Sequence, residues 1–358
     1  MRFVKLKDCK PGMVLGKNIY GFHGMLLISR GKALSGHHIV KLGKLGYVGA
    51  YIDDEISKGI EVEEVIDPVI RNHATVAVEE LFSVAKFSEK PAFAMLIKNV
   101  EHLLEEIVRD ILSNRNSVVT IASLKTLDRF TYQHSVDVCT LSLILGRELK
   151  LSKKELLDLG RAALFHDVGK AFVPNEILTK HSRLTEEELE EMRKHPEYGY
   201  ACLTKVLNQP REISEAVLYH HERYDGKGYP EGLAQDETPL YAQIIAVADV
   251  YDAITSKRDY REALFAAEAY EHIMSNMEAR FSPKVVQAFT RKIAPFPVGV
   301  SVELSDGRQA IVVKNNQNFM MRPLVKIVST EGSPPVVEER VDLANDESAM
   351  SITIVNIL

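Results

Sequence analysis

His166-Asp167-Val168-Gly169-Lys170 closes the helical phrase Lys153–Phe165, and its reading decides the architecture. A histidine and an aspartate side by side, where an apolar helix stops before a glycine, put two ligand-capable groups at the end of a core element. The arrangement recurs nearby. His134 begins the apolar phrase Val136–Leu149, His195 precedes Pro196 at a helix junction, and His220-His221 fall in the phrase Glu212–Glu222 ahead of Gly226. Asp249 lies within a further phrase, Ala242–Thr255, at Ala246-Val247-Ala248-Asp249-Val250. Six of the 12 histidines fall between positions 134 and 221, a clustering that singles out this helix-rich part of the chain.

Any one of these histidines alone reads as a hydrogen-bonded core or surface residue. Together with Asp249 they read differently. A carboxylate inside an alanine and valine helix is strongly unfavourable if charged and unpaired, and a dication is the natural partner. Histidine and aspartate suit iron, manganese, zinc, nickel or cobalt, so the ligands indicate a divalent transition metal without choosing among them. Asp167, beside His166, has two oxygens to offer to two ions.

The rest of the chain frames this centre. With 358 residues, 46% hydrophobic and 26% charged, two or three domains are expected. Residues 1–60 are glycine-punctuated short strands and turns with a helical phrase at His38–Leu42. The stretch 61–116 begins with an acidic connector. From Pro68 to Ser113 it then places apolar residues such as Leu96, Val100, Leu103, Leu104, Ile107 and Ile111 at helical spacing. That stretch reads as a helical linker bundle or a homodimer surface. Residues 117–295 are helix-rich, with Thr185-Glu186-Glu187-Glu188 as a capping box. In 296–358, Val298–Leu304, Ala310–Lys314, Leu324–Val328 and Ile352–Val355 read as strands of a small β domain.

A net charge of −6 argues against a partner such as DNA or RNA polymer, which calls for a broad basic face. Cys9, Cys139 and Cys202 are far apart, which fits a reducing cytoplasm. The N-terminal residues do not resemble a signal peptide, and no stretch reaches the ~18 apolar residues of a membrane span.

The run from His166 to Lys170 resembles the signature of the HD superfamily of metallophosphohydrolases. His220-His221-Glu222-Arg223-Tyr224-Asp225-Gly226-Lys227-Gly228-Tyr229-Pro230 is similar to the long motif of its HD-GYP subfamily. His134-Ser135, His195-Pro196 with Gly199, Ala248-Asp249-Val250-Tyr251-Asp252-Ala253 and Arg258-Asp259-Tyr260-Arg261 follow in family order. The resemblance implies a mainly α protein, an HD-type helical bundle with a metal centre in its core. A small N-terminal α+β domain and a small C-terminal β domain would flank it.

It also implies a metal-dependent phosphodiesterase for cyclic di-GMP in bacterial signalling, with linear pGpG or GMP as product. Carried over by position, one metal takes His134, His166, Asp167 and Asp249, and the second takes Asp167, His195, His220 and His221. The glutamate that gives some relatives a third metal is replaced here by Phe130, so two ions are expected, iron or manganese first. Such a pair would generate a bridging hydroxide and neutralise the phosphodiester.

Asp167 and Lys170 are then the catalytic groups. Lys170, Asp225, Gly228, Tyr229, Arg258 and Arg261 are the candidate substrate contacts, the two arginines lying three apart with forks suited to phosphate or guanine. Gly228-Tyr229-Pro230 doubles as a candidate contact for a diguanylate cyclase. Competing readings are a cyclic-dinucleotide receptor without turnover and a phosphodiesterase for another cyclic dinucleotide such as cyclic GMP-AMP.

Overall fold

The computed structural model describes residues 1–21, 25–84, 90–113, 130–180, 182–256, 265–329 and 339–358. Its N-terminal unit holds β1 (Arg2–Lys5), β2 (Ile19–Tyr20), β3 (Leu26–Ile28), α1 (Gly36–Lys44) and β4 (Gly49–Ile52). β1 pairs antiparallel with β4, and β2 with β3. Val4, Leu15, Ile19, Leu34, Leu42, Ala50 and Ile52 form a small core of their own. This is the expected α+β content.

The helical part runs through α2 (Pro68–Val84), α3 (Lys90–Ser113), α4 (Phe130–Glu148) and α5 (Lys153–Phe165). A 3-10 turn at Val168–Phe172 leads to α6 (Asn175–Leu178), α7 (Glu186–Met192), α8 (His195–Lys205) and α9 (Arg211–Tyr219). After these come α10 (Leu240–Thr255), α11 (Ala266–Ser275) and α12 (Pro283–Lys292). Local chemistry sets several of these boundaries. Ser152 and Glu155 cap each other's backbone at the start of α5, and Thr185 with Glu188 makes the expected capping box on α7. α10 is apolar on most of its faces and accordingly buried, with Ala242, Ile244, Ile245, Val247, Ala248 and Tyr251 all enclosed.

The stretch expected to be a linker or dimer surface is instead part of the bundle. Leu103, Leu104, Ile107 and Ile111 of α3 and Ala74, Val78 and Leu81 of α2 share one core with Val138, Leu164, Ile245 and Phe289. α3 seats so closely on α5 that a Cβ on Gly160 would lie 2.5 Å from Leu104 Cδ1. Arg71 of α2 pairs with the buried Asp137 of α4, and Arg147 of α4 donates to the Ile111 carbonyl. The apolar stripe that suggested dimerisation is therefore consumed within one chain.

The C-terminal unit is one antiparallel sheet of order β8-β7-β6-β5-β9, with β5 (Ser301–Leu304), β6 (Gln309–Lys314), β7 (Leu324–Ser329), β8 (Arg340–Asp342) and β9 (Ile354–Ile357). β5 starts three residues later than expected because Gly299, at φ +86°, turns the chain first. The two small units touch, with the Phe3 amide donating to the Gly299 carbonyl at 2.8 Å. Among the described residues, no helix is long and apolar enough to cross a membrane.

Candidate metal centre

Five helix segments deliver the seven polar groups singled out in the sequence. His134 lies in the second turn of α4, which starts at Phe130, one turn earlier than its apolar pattern suggested. His166 and Asp167 follow α5, and His195 is the first residue of α8. α9 ends at Tyr219, so His220 and His221 stand in the turn beyond it, and Asp249 projects from mid-α10.

Two glycines bring Asp167 to His195. A Cβ on Gly169 would fall 1.8 Å from the His195 carbonyl oxygen and 2.5 Å from the Gly199 nitrogen. Only a bare backbone lets the turn after Asp167 touch the start of α8.

The result is two histidine groups facing opposite oxygens of one carboxylate. Asp167 Oδ2 lies 3.4 Å from His166 Nε2 and 4.0 Å from His134 Nε2, whereas its Oδ1 lies 3.4 Å from His195 Nε2. Asp249 Oδ1 stands 3.0 Å from His134 Nε2. His195, His220 and His221 place their donor atoms within 4.8 Å of one another, as do His134, His166 and Asp167. Lys170 Nζ completes the cluster, 2.5 Å from Asp167 Oδ2.

The rings are oriented before any ion binds. Nδ1 of His166 donates to the Ala163 carbonyl at 2.8 Å, Nδ1 of His195 to Met192 at 2.8 Å, and Nδ1 of His220 to Val217 at 2.7 Å. Each acceptor lies three residues back, and because a carbonyl only accepts, the proton sits on Nδ1 and Nε2 presents a lone pair to the centre. Nε2 of His166 and of His220 is buried with no hydrogen-bond partner among the described residues. Orphaned buried acceptors are unfavourable, and a cation satisfies them. The donor set therefore fits metal ions of the N,O-preferring kind.

The electrostatics agree. Burial lowers His195 to about 4 and His220 to about 3, and it holds His221 well below the ordinary imidazole range, so these rings are neutral at neutral pH, the form in which an imidazole can bind a cation. Burial opposes ionisation of Asp167 and Asp249 too. Lys170 and His166 around Asp167, and His134 beside Asp249, outweigh it and keep both carboxylates ionised. His134 is the exception among the rings. Burial would lower it, but hydrogen bonds to Asp249 and Asp252 raise it to about 9.

The HD domain family matches residues 96–285, more than half of the chain. The chain belongs to the HD domain family. A KOW domain associated with the HD domain matches residues 301–357, the sheet from β5 to β9. The chain is 37% identical over 273 residues to a cyclic di-GMP phosphodiesterase of Pseudomonas aeruginosa, covering 76% of this chain and 65% of that protein. To a cyclic di-GMP phosphodiesterase of Thermotoga maritima it is 34% identical over 248 residues, covering 68% and 66%. A 3'3'-cGAMP-specific phosphodiesterase of Vibrio cholerae is 33% identical over 168 residues, or 47% of this chain and 36% of that one. The chain thus spans less than two thirds of the length of each of these relatives.

Within the HD domain the other anticipated residues fare unequally. Tyr229 stacks on His221, ring centroids 4.8 Å apart at 26°, and so reaches the centre. Gly228 is required there, since a Cβ would lie 2.4 Å from the Arg223 nitrogen and 2.4 Å from the Glu222 Cα. Asp225 is a brace. Both its oxygens accept from Arg223, at 3.0 and 2.7 Å, and one also accepts from the Lys227 amide at 3.1 Å. Arg258 and Arg261 lie outside the described residues, as does the Phe130 side chain.

Two groups of the HD domain escaped the sequence reading. Asp252 Oδ2 sits 2.6 Å from His134 Nδ1, and its signal was a second carboxylate three residues after Asp249 in the same apolar helix. Glu222 is buried and accepts from the amides of Glu231 and Gly232 at 2.8 and 2.9 Å, anchoring the loop that follows Tyr229.

Proposed function

We propose that this chain hydrolyses a phosphodiester bond of cyclic di-GMP, to linear pGpG or GMP, using two divalent transition-metal ions, iron or manganese. One observation carries the reading. Asp167 turns one oxygen toward His134 and His166 and the other toward His195, the position of a carboxylate shared between two ions. His134, His166, Asp167 and Asp249 would hold one ion, and Asp167, His195, His220 and His221 the other. Divalent ions held by these residues would supply an activated water and neutralise charge on phosphodiester oxygens.

The chain's own groups do the rest. Lys170, about a third exposed with its ammonium on Asp167, holds a phosphoryl oxygen as negative charge builds on it. Asp252 orients His134, and the carbonyls of Ala163, Met192 and Val217 fix the other rings, so the ligands do not reorganise during the reaction. Tyr229, whose hydroxyl is kept protonated by burial and by the nearby Asp249 and Asp167, offers a donor at the rim. We assign its loop to substrate rather than to a cyclase, because the ring packs on His221. Arg258 and Arg261 are assigned to phosphate or guanine from their motif.

The test is turnover by full-length chain loaded anaerobically with ferrous iron or manganese. It is offered cyclic di-GMP, 3'3'-cGAMP and cyclic di-AMP, with products identified by chromatography. Cyclic di-GMP is expected to be opened fastest. Preference for 3'3'-cGAMP would transfer the assignment to the mixed dinucleotide, and tight binding without turnover by metallated protein would make the chain a receptor.

A further inference from the structure

Charge is shared unevenly along the chain. Residues 1–52, which span the N-terminal unit, hold nine lysines and arginines and one acidic residue, Asp8, a formal charge of +8. The whole chain carries −6, so the remainder carries −14. An asymmetry of that size marks contact with something anionic, which the net charge conceals.

Three of the nine are engaged within the fold. Arg2 pairs with Asp54 and Lys17 with Glu64, while the Lys5 ammonium lies over the Phe265 ring of the helical part. Lys7, Lys10, Arg30, Lys32, Lys41 and Lys44 are exposed and form no ion pair among the described residues.

Five of these come together on one surface. α1 exposes His37, Val40, Lys41 and Lys44 at i, i+3, i+4 and i+7, a single helical face, and buries Leu42 on the other side. Its glycines seat it along Leu6–Pro11. A Cβ on Gly43 would lie 3.4 Å from Leu6 Cδ2, and one on Gly36 would lie 4.0 Å from Pro11 Cγ. Lys44 therefore falls at the Lys7 end of that stretch, and the start of α1 at the Lys10 end. The Gly12 amide donates to the Leu34 carbonyl at 2.8 Å and the Leu34 amide to that of Met13 at 2.7 Å, which brings Lys32 to the same side. Apolar side chains stand between the charges. Val40 is 59% exposed on the α1 face, and Val48, whose carbonyl accepts from the Leu6 amide at 2.9 Å, is 44% exposed.

Lysines gathered without counter-charge repel one another, and an anionic surface relieves them. Nucleic acid is a poor match, because all five cations are lysines with no guanidinium fork or aromatic ring among them to read or stack bases. A phosphate backbone also leaves Val40 and Val48 in water. The boundary between lipid headgroups and acyl chains accommodates both kinds of side chain, and a lysine reaches mobile headgroups as a point charge on a flexible stem.

We propose that the face formed by α1 and Leu6–Lys10 docks peripherally on a bilayer containing anionic phospholipid, with the lysines on headgroup phosphates and Val40 and Val48 dipping below them. The charge of −14 on the remainder is repelled by the same leaflet, so the helical part is held away from it. This stands apart from the phosphodiesterase reading and needs neither metal nor substrate.

The test is sedimentation of the full-length chain with vesicles of phosphatidylcholine alone, or with about one-third phosphatidylglycerol, at about 0.1 and about 0.5 M KCl, across which the screening length more than halves. Binding to the anionic vesicles only, lost at the higher salt, is expected. Each lysine at an anionic leaflet is worth about 5-fold in partitioning, so Lys41→Ala with Lys44→Ala should weaken it about 25-fold, and Lys7→Ala with Lys10→Ala by a similar factor. Val40→Ser should weaken it about 3-fold. Arg211→Ala, at an exposed cation of α9, should change nothing. Metal content away from vesicles should match wild type throughout.

Equal binding to both kinds of vesicle, no binding at low salt, or lysine variants that partition like wild type overturns the proposal. Tighter binding to a short DNA duplex than to vesicles at equal phosphate concentration, with Val40→Ser without effect, overturns it in favour of nucleic acid. A dimer by light scattering that the Lys41 and Lys44 pair abolishes, with no vesicle binding, overturns it in favour of the acidic surface of a second copy. Lys41→Gln with Lys44→Gln serves if the alanine pair does not fold.

Discussion

Asp252 Oδ2 lies 2.6 Å from His134 Nδ1, while Asp249, one turn earlier on α10, meets the other nitrogen of the same ring at 3.0 Å. Asp252 is almost wholly enclosed, at 1% exposure, so nothing in solvent can replace it. Asp252→Asn keeps the shape and removes the charge that raises ligand basicity. It is expected to weaken metal affinity about 10- to 100-fold, read by titration with manganese in competition with a chelator. Unaltered affinity would remove Asp252 from the support of the centre.

The metal-free chain is expected to have a bell-shaped stability profile. Unfolded imidazoles titrate near about 6.5, whereas burial holds folded His195 at about 4 and His220 at about 3. Between those values the unfolded chain binds more protons, so stability is full above about pH 6.5 and falls as pH drops toward 4. His134 has the opposite sign. Raised to about 9, its contribution is complete below about pH 6.5 and is lost as pH climbs through 9. Urea midpoints across this range check both limbs, and a flat acid limb would contradict neutral, buried His195 and His220.

Lys170→Met tests the ammonium at 2.5 Å from Asp167. A donor aimed at developing charge is worth about 10²- to 10³-fold in kcat, so that loss is expected with metal content retained. Asp167→Asn, by contrast, should lose both metal and turnover. If the lysine variant lost its metal as completely as the aspartate variant, Lys170 would be a structural prop.

Gly169→Ala is expected to destabilise the metal-free chain by about 3 kcal/mol, as overpacking against backbone does at its upper end. The added carbon would land 1.8 Å from the His195 carbonyl oxygen, and no rotamer relieves a Cβ. Denaturant unfolding measures it. A loss under about 1 kcal/mol would mean that the turn and α8 part easily, contrary to the packing that joins Asp167 to His195.

The histidines and aspartates of the candidate centre could be picked out in the sequence because they are spaced by whole elements and most stand where apolar phrases stop, a pattern that needs no tertiary knowledge. The capping box on α7 was legible for the same local reason. What escaped was whatever depends on partners distant in sequence. Asp252 is one more acidic residue until α10 lies against α4, and Asp225 has a ligand's chemistry until Arg223 folds onto it. The helical spacing of Leu103, Leu104, Ile107 and Ile111 reported a buried face correctly, yet periodicity cannot say whether α5 or a second copy buries it.

Three rings tethered to carbonyls three residues behind them mean that the cage is assembled by the fold and not by its cargo. The chain without ions is therefore expected to remain a native, cooperative solid rather than a collapsed liquid, unlike small zinc modules that exist as structures only when filled. Loading then becomes an exchange reaction governed by availability and charge, so whichever suitable cation a cell supplies in excess occupies a mould that is already set.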